Sequence, residues 1–314
     1  MDAVYQDLDR AVAQRLPVFA RKHALTCVYA YEDGARATFR AARELGLRCI
    51  YDLPIAYWEV ARRLLAEEAE RLPEWEPTLV GTRDSAAKLE RKTQELEWAD
   101  VVICPSTFVR ASLPEKVRTG RACVVAEFGS PDVSVSPASP NQRALNGPLR
   151  VLFAGSLTQR KGLADVFAAM KLLASAHLEL IVFGSPIAPL EFYRKQLNNF
   201  VYEAPRPHGE VLALMRTCDV LVLPSIVEGR ALVQQEALGC GLPIVVTPNA
   251  GGEDLVEPGQ TGYLVPIRSP EEIAAKLEWF SQNRNALPDM RAAAQRKAAE
   301  YPWSRYQQRV LDVL

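Results

Sequence analysis

Histidine is scarce in this chain, three in 314 residues, and none stands at metal-ligand spacing from a cysteine. The six cysteines (Cys27, Cys49, Cys104, Cys123, Cys218, Cys240) are scattered, mostly in or beside strand-like apolar runs, and none forms C-x-x-C. That excludes a zinc ribbon and a thioredoxin-type motif, and reads as free thiols in a reducing compartment. No apolar run approaches the ~20 residues of a membrane span, and the N-terminus carries no signal-peptide pattern, so a cytoplasmic location is expected. An excess of one charge is missing too: 37 Lys and Arg face 38 Asp and Glu for a net charge of −1, and the balance holds in both halves. A nucleic-acid partner needs a basic face and a lipid surface needs a Lys/Arg cluster, and neither stands out. No D-x-D follows a strand, and no Ser/His/Asp set or hydrolase-like carboxylate pair is visible. We therefore expect no metal and no cofactor at the chemistry.

What the chain has is alternation. Short apolar runs take turns with longer amphipathic ones, the pattern of parallel sheets covered by helices. At 314 residues, 48% hydrophobic and 24% charged, it suits a globular α/β protein of two domains. Residues 1–140 are expected to form the first domain and 149–301 the second, joined by the Pro/Ser/Asn-rich linker Val133–Pro148. In the first half, strands are expected at Leu25–Ala30, Arg48–Leu53, Val101–Cys104 and Ala122–Phe128. Helices fall at Val4–Leu16, Ala35–Leu45, Tyr57–Arg71 and Ser85–Trp98. In the second half, five strands are expected, at Arg150–Ala154, Leu178–Phe183, Val220–Leu223, Pro243–Thr247 and Gly262–Val265, with helices between them and a helical tail.

The densest chemistry lies in Leu223–Pro266. Glu228 and Glu236 stand eight positions apart, the first before and the second inside a helix-like run. At about 1.5 Å of rise per residue they span roughly 12 Å, the order of length of a nucleotide sugar. A strand, a Gly-containing turn and a helix N-terminus make an anion site from unpaired backbone N–H groups and the helix dipole. Spacing by itself also fits two solvated surface acids. Arg160 and Lys161 follow another strand and a Gly155-Ser156 turn, and a cation beside a backbone nest suits a diphosphate. His208 reads either as a surface loop residue or as a neighbour of the bound base.

Three ordered elements supply more. They are Val151-Leu152-Phe153-Ala154-Gly155-Ser156-Leu157-x-x-Arg160-Lys161-Gly162, then Asp219 through Ser225, then Pro224-Ser225-x-x-Glu228-Gly229 with Glu236-Ala237-Leu238-x-Cys240-Gly241-Leu242-Pro243, Gly251-Gly252 and Gly259-x-x-Gly262. Together they resemble the donor-site blocks of family 4 retaining glycosyltransferases (glycosyl transferases group 1), whose fold is GT-B.

The resemblance implies two Rossmann-like domains, a reduced N-terminal one and a complete C-terminal one, with a helix near residues 302–314 packing back on the first. It implies a metal-independent glycosyltransferase that retains anomeric configuration. The donor would be a UDP, GDP or ADP sugar, and the acceptor is unnamed. Lys161 and Glu228 would be catalytic. Gly155, Ser156, Arg160, Lys161, Glu228, Gly229, Arg230, Ala231, Leu232 and Glu236 would bind the donor, with Glu228 on the sugar, Glu236 on the ribose and the N–H groups of Ala231 and Leu232 on phosphate. Gly229-Arg230-Ala231-Leu232 departs from the family's Gly-Phe-Gly-Leu, so Arg230 either adds charge at the site or faces solvent. On the acceptor side, Tyr51, Asp52 and Trp58 could meet a sugar, with Tyr51 standing where the family often has His. The short first domain leaves an alternative, a nucleotide-sugar-binding protein with little transferase activity. It also leads us to expect a second copy or a partner over Leu25–Leu53.

Overall fold

A computed structural model describes residues 2–131, 147–173 and 177–314. The linker expected at Val133–Pro148 falls almost wholly on residues 132–146, outside the described ones. The chain divides into two compact units: residues 1–63, 81–127 and 306–314, and residues 64–80 and 128–305.

The first unit contains α1 (Asp2–His23), β1 (Cys27–Tyr31), α2 (Arg36–Glu44), β2 (Arg48–Asp52), the start of α3 (Trp58–Arg71), α4 (Ala86–Trp98), β3 (Val101–Cys104), α5 (Thr107–Ser112), α6 (Glu115–Gly120) and β4 (Ala122–Val125). Its four strands run parallel in the order β1-β2-β3-β4, with β1 at an edge. Helix α1 passes through Pro17, where the sequence suggests a stop. Proline removes its own N–H from the ladder, and here the helix continues to His23. The six-residue α5 and α6 escape the sequence reading because their apolar periodicity is too short to register. Ser106 still caps α5, its Oγ accepting from Val109 N at 3.2 Å.

Buried carboxylates organise α2, whose N-cap residue Ala35 offers no side chain. Asp9 accepts from the N–H of Ala37 and Thr38 at 2.7 and 2.8 Å. Glu95 accepts from Asp33 at 2.9 Å, Ala35 at 3.1 Å and Arg36 at 3.2 Å. Two acids from distant elements thus satisfy donors that a helix start leaves open, and their charge suits the dipole there.

The second unit holds β5 (Leu149–Ala154), α7 (Leu163–Leu173), β6 (Leu178–Phe183), α8 (Leu190–Gln196), β7 (Val201–Glu203), α9 (His208–Arg216), β8 (Val220–Leu223), α10 (Leu232–Gly239), β9 (Ile244–Val246), β10 (Gly262–Leu264), α11 (Pro270–Gln282), α12 (Leu287–Ala299) and the first residues of α13 (Trp303–Leu311). The six strands are parallel in the order β10-β9-β8-β5-β6-β7, the doubly wound arrangement with its switch point between β5 and β8. Strand β7 is three residues long at the sheet edge, which explains why its sequence signal is weak.

Two assignments of chain to unit are non-local. Residues 64–80, read from sequence as part of the first domain, belong to the second unit. Their anchor is Trp75, 2% exposed, in edge-to-face contact with Phe167, Phe192 and Tyr193. Residues 306–314 belong to the first unit, where Tyr306, Val310 and Val313 pack on Ile50, Val101, Ile103 and Ala126.

Burying a large aromatic is worth several kcal/mol through transfer and cavity terms together. Trp75→Ala is expected to cost about 3–5 kcal/mol of unfolding free energy, read by urea denaturation with the unit's own tryptophan and tyrosine signals. An unchanged midpoint would show that residues 64–80 do not support this unit.

Candidate functional site

The two loops that flank the switch point carry the site. After β5 the chain turns at Gly155 (φ +144°), makes a single turn over Gln159–Lys161 and reverses at Gly162 (φ +78°). Gly162 is required twice over. Its φ is in the left-handed region, and a Cβ there would lie 2.2 Å from the carbonyl oxygen of Pro224, a contact only glycine allows. The loop after β8 is tied to the same place, since Ile226 N donates to Arg160 O at 2.9 Å.

Here the charges meet. Arg160 Nη1 donates to Glu228 Oε2 and to Val227 O, both at 3.0 Å, and Lys161 Nζ pairs with the same carboxylate oxygen. Burial pushes the Glu228 carboxyl up, but Lys161 and Arg160 outweigh it and hold the group below its ordinary value. Burial also lowers Lys161, against the pull of Glu228. Two cations therefore share one partly buried carboxylate, an arrangement that an incoming diphosphate could relieve.

Gln159 anchors this loop, and the sequence reading missed it. Its Nε2 donates to Glu68 Oε2 at 2.7 Å and to Asp165 Oδ2 at 2.8 Å. Its Oε1 accepts from Ala164 N at 2.8 Å, and its own N–H donates to Thr78 Oγ1 at 3.1 Å. Arg71 bridges the two acids, and Arg268 pairs with Glu68. The partners lie up to 91 positions away, so no local signal marks Gln159.

Between Glu228 and α10 the structure corrects two expectations. Arg230 faces neither solvent nor the cavity described next; its side chain is fully buried. It donates to Gln235 Oε1 at 3.1 Å, Gly251 O at 3.0 Å and both oxygens of Asp254 at 2.7 and 3.1 Å, and lies over the Tyr301 ring. The guanidinium has five donors and spends them inside the unit. The N–H of Ala231, expected to cap a phosphate, instead donates to Ala250 O at 3.1 Å. Gly251 (φ +74°) makes this possible: a Cβ there would sit 2.0 Å from Gly229 O. Gly252, which follows it, has φ −122°. No side chain caps α10, and Leu232 opens it.

A cavity of about 370 Å³ adjoins the charged cluster, lined in part by Gly155, Lys161, Arg206, His208, Leu232 and Glu236. His208 Nε2 and Glu236 Oε1 are 3.0 Å apart. Lys161 thus connects Glu228 on one side with the Glu236 cavity on the other. Of the expected donor residues, Ser156, Arg160, Glu228, Gly229 and Arg230 are not in that lining, and Ala231 is. Arg206, Phe183 and Val211, also in the lining, were not foreseen.

In the first unit, Tyr51 is fully buried, its hydroxyl donating to Glu95 Oε2 at 3.3 Å. It is a core residue of β2, which overturns its reading as a sugar platform. Asp52 is buried at the end of the same strand and accepts from the Tyr29 hydroxyl. Burial pushes its carboxyl up to about 6 despite that hydrogen bond. Trp58 is half-buried, stacked obliquely on Tyr57, with Nε1 donating to Thr93 Oγ1 at 3.1 Å. Among the described residues no group of three or more His, Cys, Asp and Glu is placed to hold a metal, all six cysteines are free, and no helix is long and apolar enough to cross a membrane.

Two parallel sheets, the second doubly wound with two cations and a carboxylate at its switch point, define an α/β protein. Residues 136–298 match the family described as glycosyl transferases group 1, and the chain belongs to it. It is 32% identical over 168 residues to a putative colanic acid biosynthesis glycosyltransferase of Salmonella typhimurium, covering 49% of this chain and 41% of that protein. It is 28% identical over 201 residues to D-inositol 3-phosphate glycosyltransferase of Paenarthrobacter aurescens, covering 57% and 48%. These matches span less than half the length of each relative. Sucrose-phosphate synthase from Thermosynechococcus elongatus shares the fold with a TM-score of 0.77 at 17% identity, over 99% of this chain and 78% of that one. Anabaena Alr3699/HepE in complex with UDP gives 0.71 at 18%, over 96% and 81%. The fold is GT-B, with two Rossmann-like units.

Two outcomes follow from these environments. Arg230→Ala strands Gly251 O, Gln235 and Asp254, and is expected to lower stability by about 1–3 kcal/mol while nucleotide affinity of the folded protein stays within twofold. A calorimetric loss of nucleotide binding with full thermal stability would place Arg230 at the ligand instead. For Asp52, the raised folded-state value means that the folded chain holds the proton longer than the unfolded one. Its contribution to stability is complete below about pH 4 and lost as pH rises through about 6. Asp52→Asn should flatten that part of the stability profile; an unaltered pH 4–6 slope in denaturant titrations would refute the assignment.

Proposed function

We propose that this chain moves a sugar from a nucleotide-sugar donor to an acceptor with retention of anomeric configuration and without a metal ion. The observation that carries the reading is the convergence of Arg160 and Lys161 on Glu228 beside the cavity that holds Glu236. Family membership supports it, as does the Anabaena neighbour, whose structures hold UDP and UDP-glucose.

In this reading the diphosphate enters the loop after β5 and takes over Lys161 and Arg160 from Glu228. The glycosidic C–O bond to the diphosphate breaks, and negative charge grows on the leaving oxygen. Lys161 Nζ and the Arg160 guanidinium stabilise that charge in a site shielded from water. The acceptor oxygen forms its bond to the anomeric carbon on the face the leaving group departs from, and its proton passes to the departing phosphate. Glu228, freed from both cations, accepts hydrogen bonds from donor-sugar hydroxyls, and Glu236 with His208 receives the ribose. The protein contributes placement and charge rather than a nucleophile. The two basic side chains take the part that a divalent ion plays elsewhere.

Glu228→Ala and Lys161→Ala are expected to lower transfer by about a hundredfold or more with unchanged melting temperatures, in an assay of nucleotide release from UDP-, GDP- and ADP-sugars. EDTA should leave the wild-type rate unaltered. Wild-type turnover in either folded variant would overturn the assignment of the site. Nucleotide-sugar binding without turnover for any acceptor would favour a binding protein, and loss of activity in EDTA would overturn metal independence.

A further inference from the structure

We propose that the first unit carries a separate binding site for a saccharide that bears a phosphate or a carboxylate, in the groove between α1, α2 and α4. A cavity of about 340 Å³ opens there, lined by Arg10, Arg36, Ala37, Arg40, Gln94 and Trp98. Its size is in the ~300–1,000 Å³ range of small-molecule sites.

Charge is the first argument. Three arginines line one cavity, and none of its lining residues is acidic. Arg36 and Arg40 are one turn apart on α2, so they share a face, and among the described residues neither enters an ion pair. Their situation contrasts with Arg71, Arg91, Arg160, Arg230 and Arg268, each of which meets a carboxylate. Four acids on or beside these helices are occupied, and Glu44 stands one turn after Arg40 on α2. Asp9 and Glu95 accept from the backbone at the start of α2, Asp7 pairs with Arg10, and Glu90 accepts from Gln94 Nε2 at 3.3 Å. The Asp7–Arg10 pair is exposed and costs little to rearrange. Guanidinium forks placed in this way match the paired oxygens of a phosphate or a carboxylate.

Shape and polarity supply the second argument. Trp98 is half-buried, packs against the core of the first unit and lines the cavity. Gln94 stands one turn before it on α4. An indole offers a flat apolar surface with one polar edge, and the amide offers both a donor and an acceptor. A sugar ring has the complementary parts, a C–H face and hydroxyls, and its oxyanion reaches the arginines. An inorganic anion would use the arginines and leave the indole idle. This site shares no residue with the cavity of the second unit, so the inference does not depend on the transfer reaction.

The test is calorimetric titration of the full chain with glucose 6-phosphate, glucuronate, glucose and inorganic phosphate. Three proteins are compared: wild type, the double variant Arg36→Ala/Arg40→Ala, and Lys161→Ala as a control for the other site. Arg36 and Arg40 are exposed, so the double variant should keep its fold, which thermal melting checks. We expect saturable binding of one or both anionic sugars in the millimolar range or tighter, and about tenfold or more weaker binding of glucose and of inorganic phosphate. The double variant should bind the anionic sugar about tenfold or more weakly, and Lys161→Ala should match the wild type. A preference between the two anionic sugars identifies the oxyanion. The proposal is overturned if neither saturates below about 10 mM, if the double variant binds as well as wild type, if inorganic phosphate binds as tightly as the sugar phosphate, or if Lys161→Ala abolishes the binding.

Discussion

One carboxylate shared by two cations holds the second unit's site together. Glu228 meets both Arg160 and Lys161, and those three side chains come from the loops that follow β5 and β8, the strands on either side of the switch point. Parallel strands that wind outward in opposite directions leave a crevice at their carboxyl ends. Loops of opposite charge in that crevice attract each other, and the attraction is strengthened by partial burial. The cost is that neither cation is fully neutralised. In the proposed reading, a ligand with two negative charges would find cations already positioned, which is the physical sense of preorganisation.

Other buried charges among the described residues serve the fold itself, through backbone groups or through other side chains. Asp9 and Glu95 satisfy N–H groups at the start of α2. Glu68 and Asp165 converge on the amide of Gln159, which in turn sets the path of the residues just before Lys161. Arg230 ties the start of α10 to Gly251 and Asp254. A buried charge that is fully hydrogen-bonded rigidifies what it touches, and an unpaired one is costly. This distinction separates Arg230, saturated inside the unit, from Lys161, which is half of an exchangeable pair on a cavity wall. It also separates Arg36 and Arg40 of the α1–α2–α4 groove, which enter no ion pair among the described residues.

The elements and the main motif blocks were legible in the amino-acid order because they depend on neighbours. Strand β8 is an uninterrupted apolar run, and β5 and β6 are broken only by Arg150 and Glu179 at their second positions, as strands covered on both faces require. Helix α10 has its 3.6-residue pattern between a proline-serine strand end and Gly241, and Gly155, Gly162 and Gly251 stand where positive φ is needed. The spacing of Arg160, Lys161, Glu228 and Glu236 along the chain is likewise a local property. From it the α/β class, the doubly wound second unit and the kind of ligand it suits could all be argued.

What only tertiary structure decided are the partnerships of residues far apart in sequence. Tyr51 reads as an aromatic at a strand end, and the helices packed on β2 turn it into sealed core. Arg230 reads as a surface or ligand charge until Asp254, twenty-four positions on, claims it. The N–H of Ala231 reads as free until the turn at Gly251 presents the carbonyl of Ala250. Residues 64–80 read as part of the first domain until Trp75 finds Phe167 and Tyr193 in the second unit. In each case a hydrogen bond, an ion pair or an aromatic contact closes over a long stretch of chain. Periodicity and propensity carry no record of such closures, because a residue's partner in space is set by how whole sheets and helices pack.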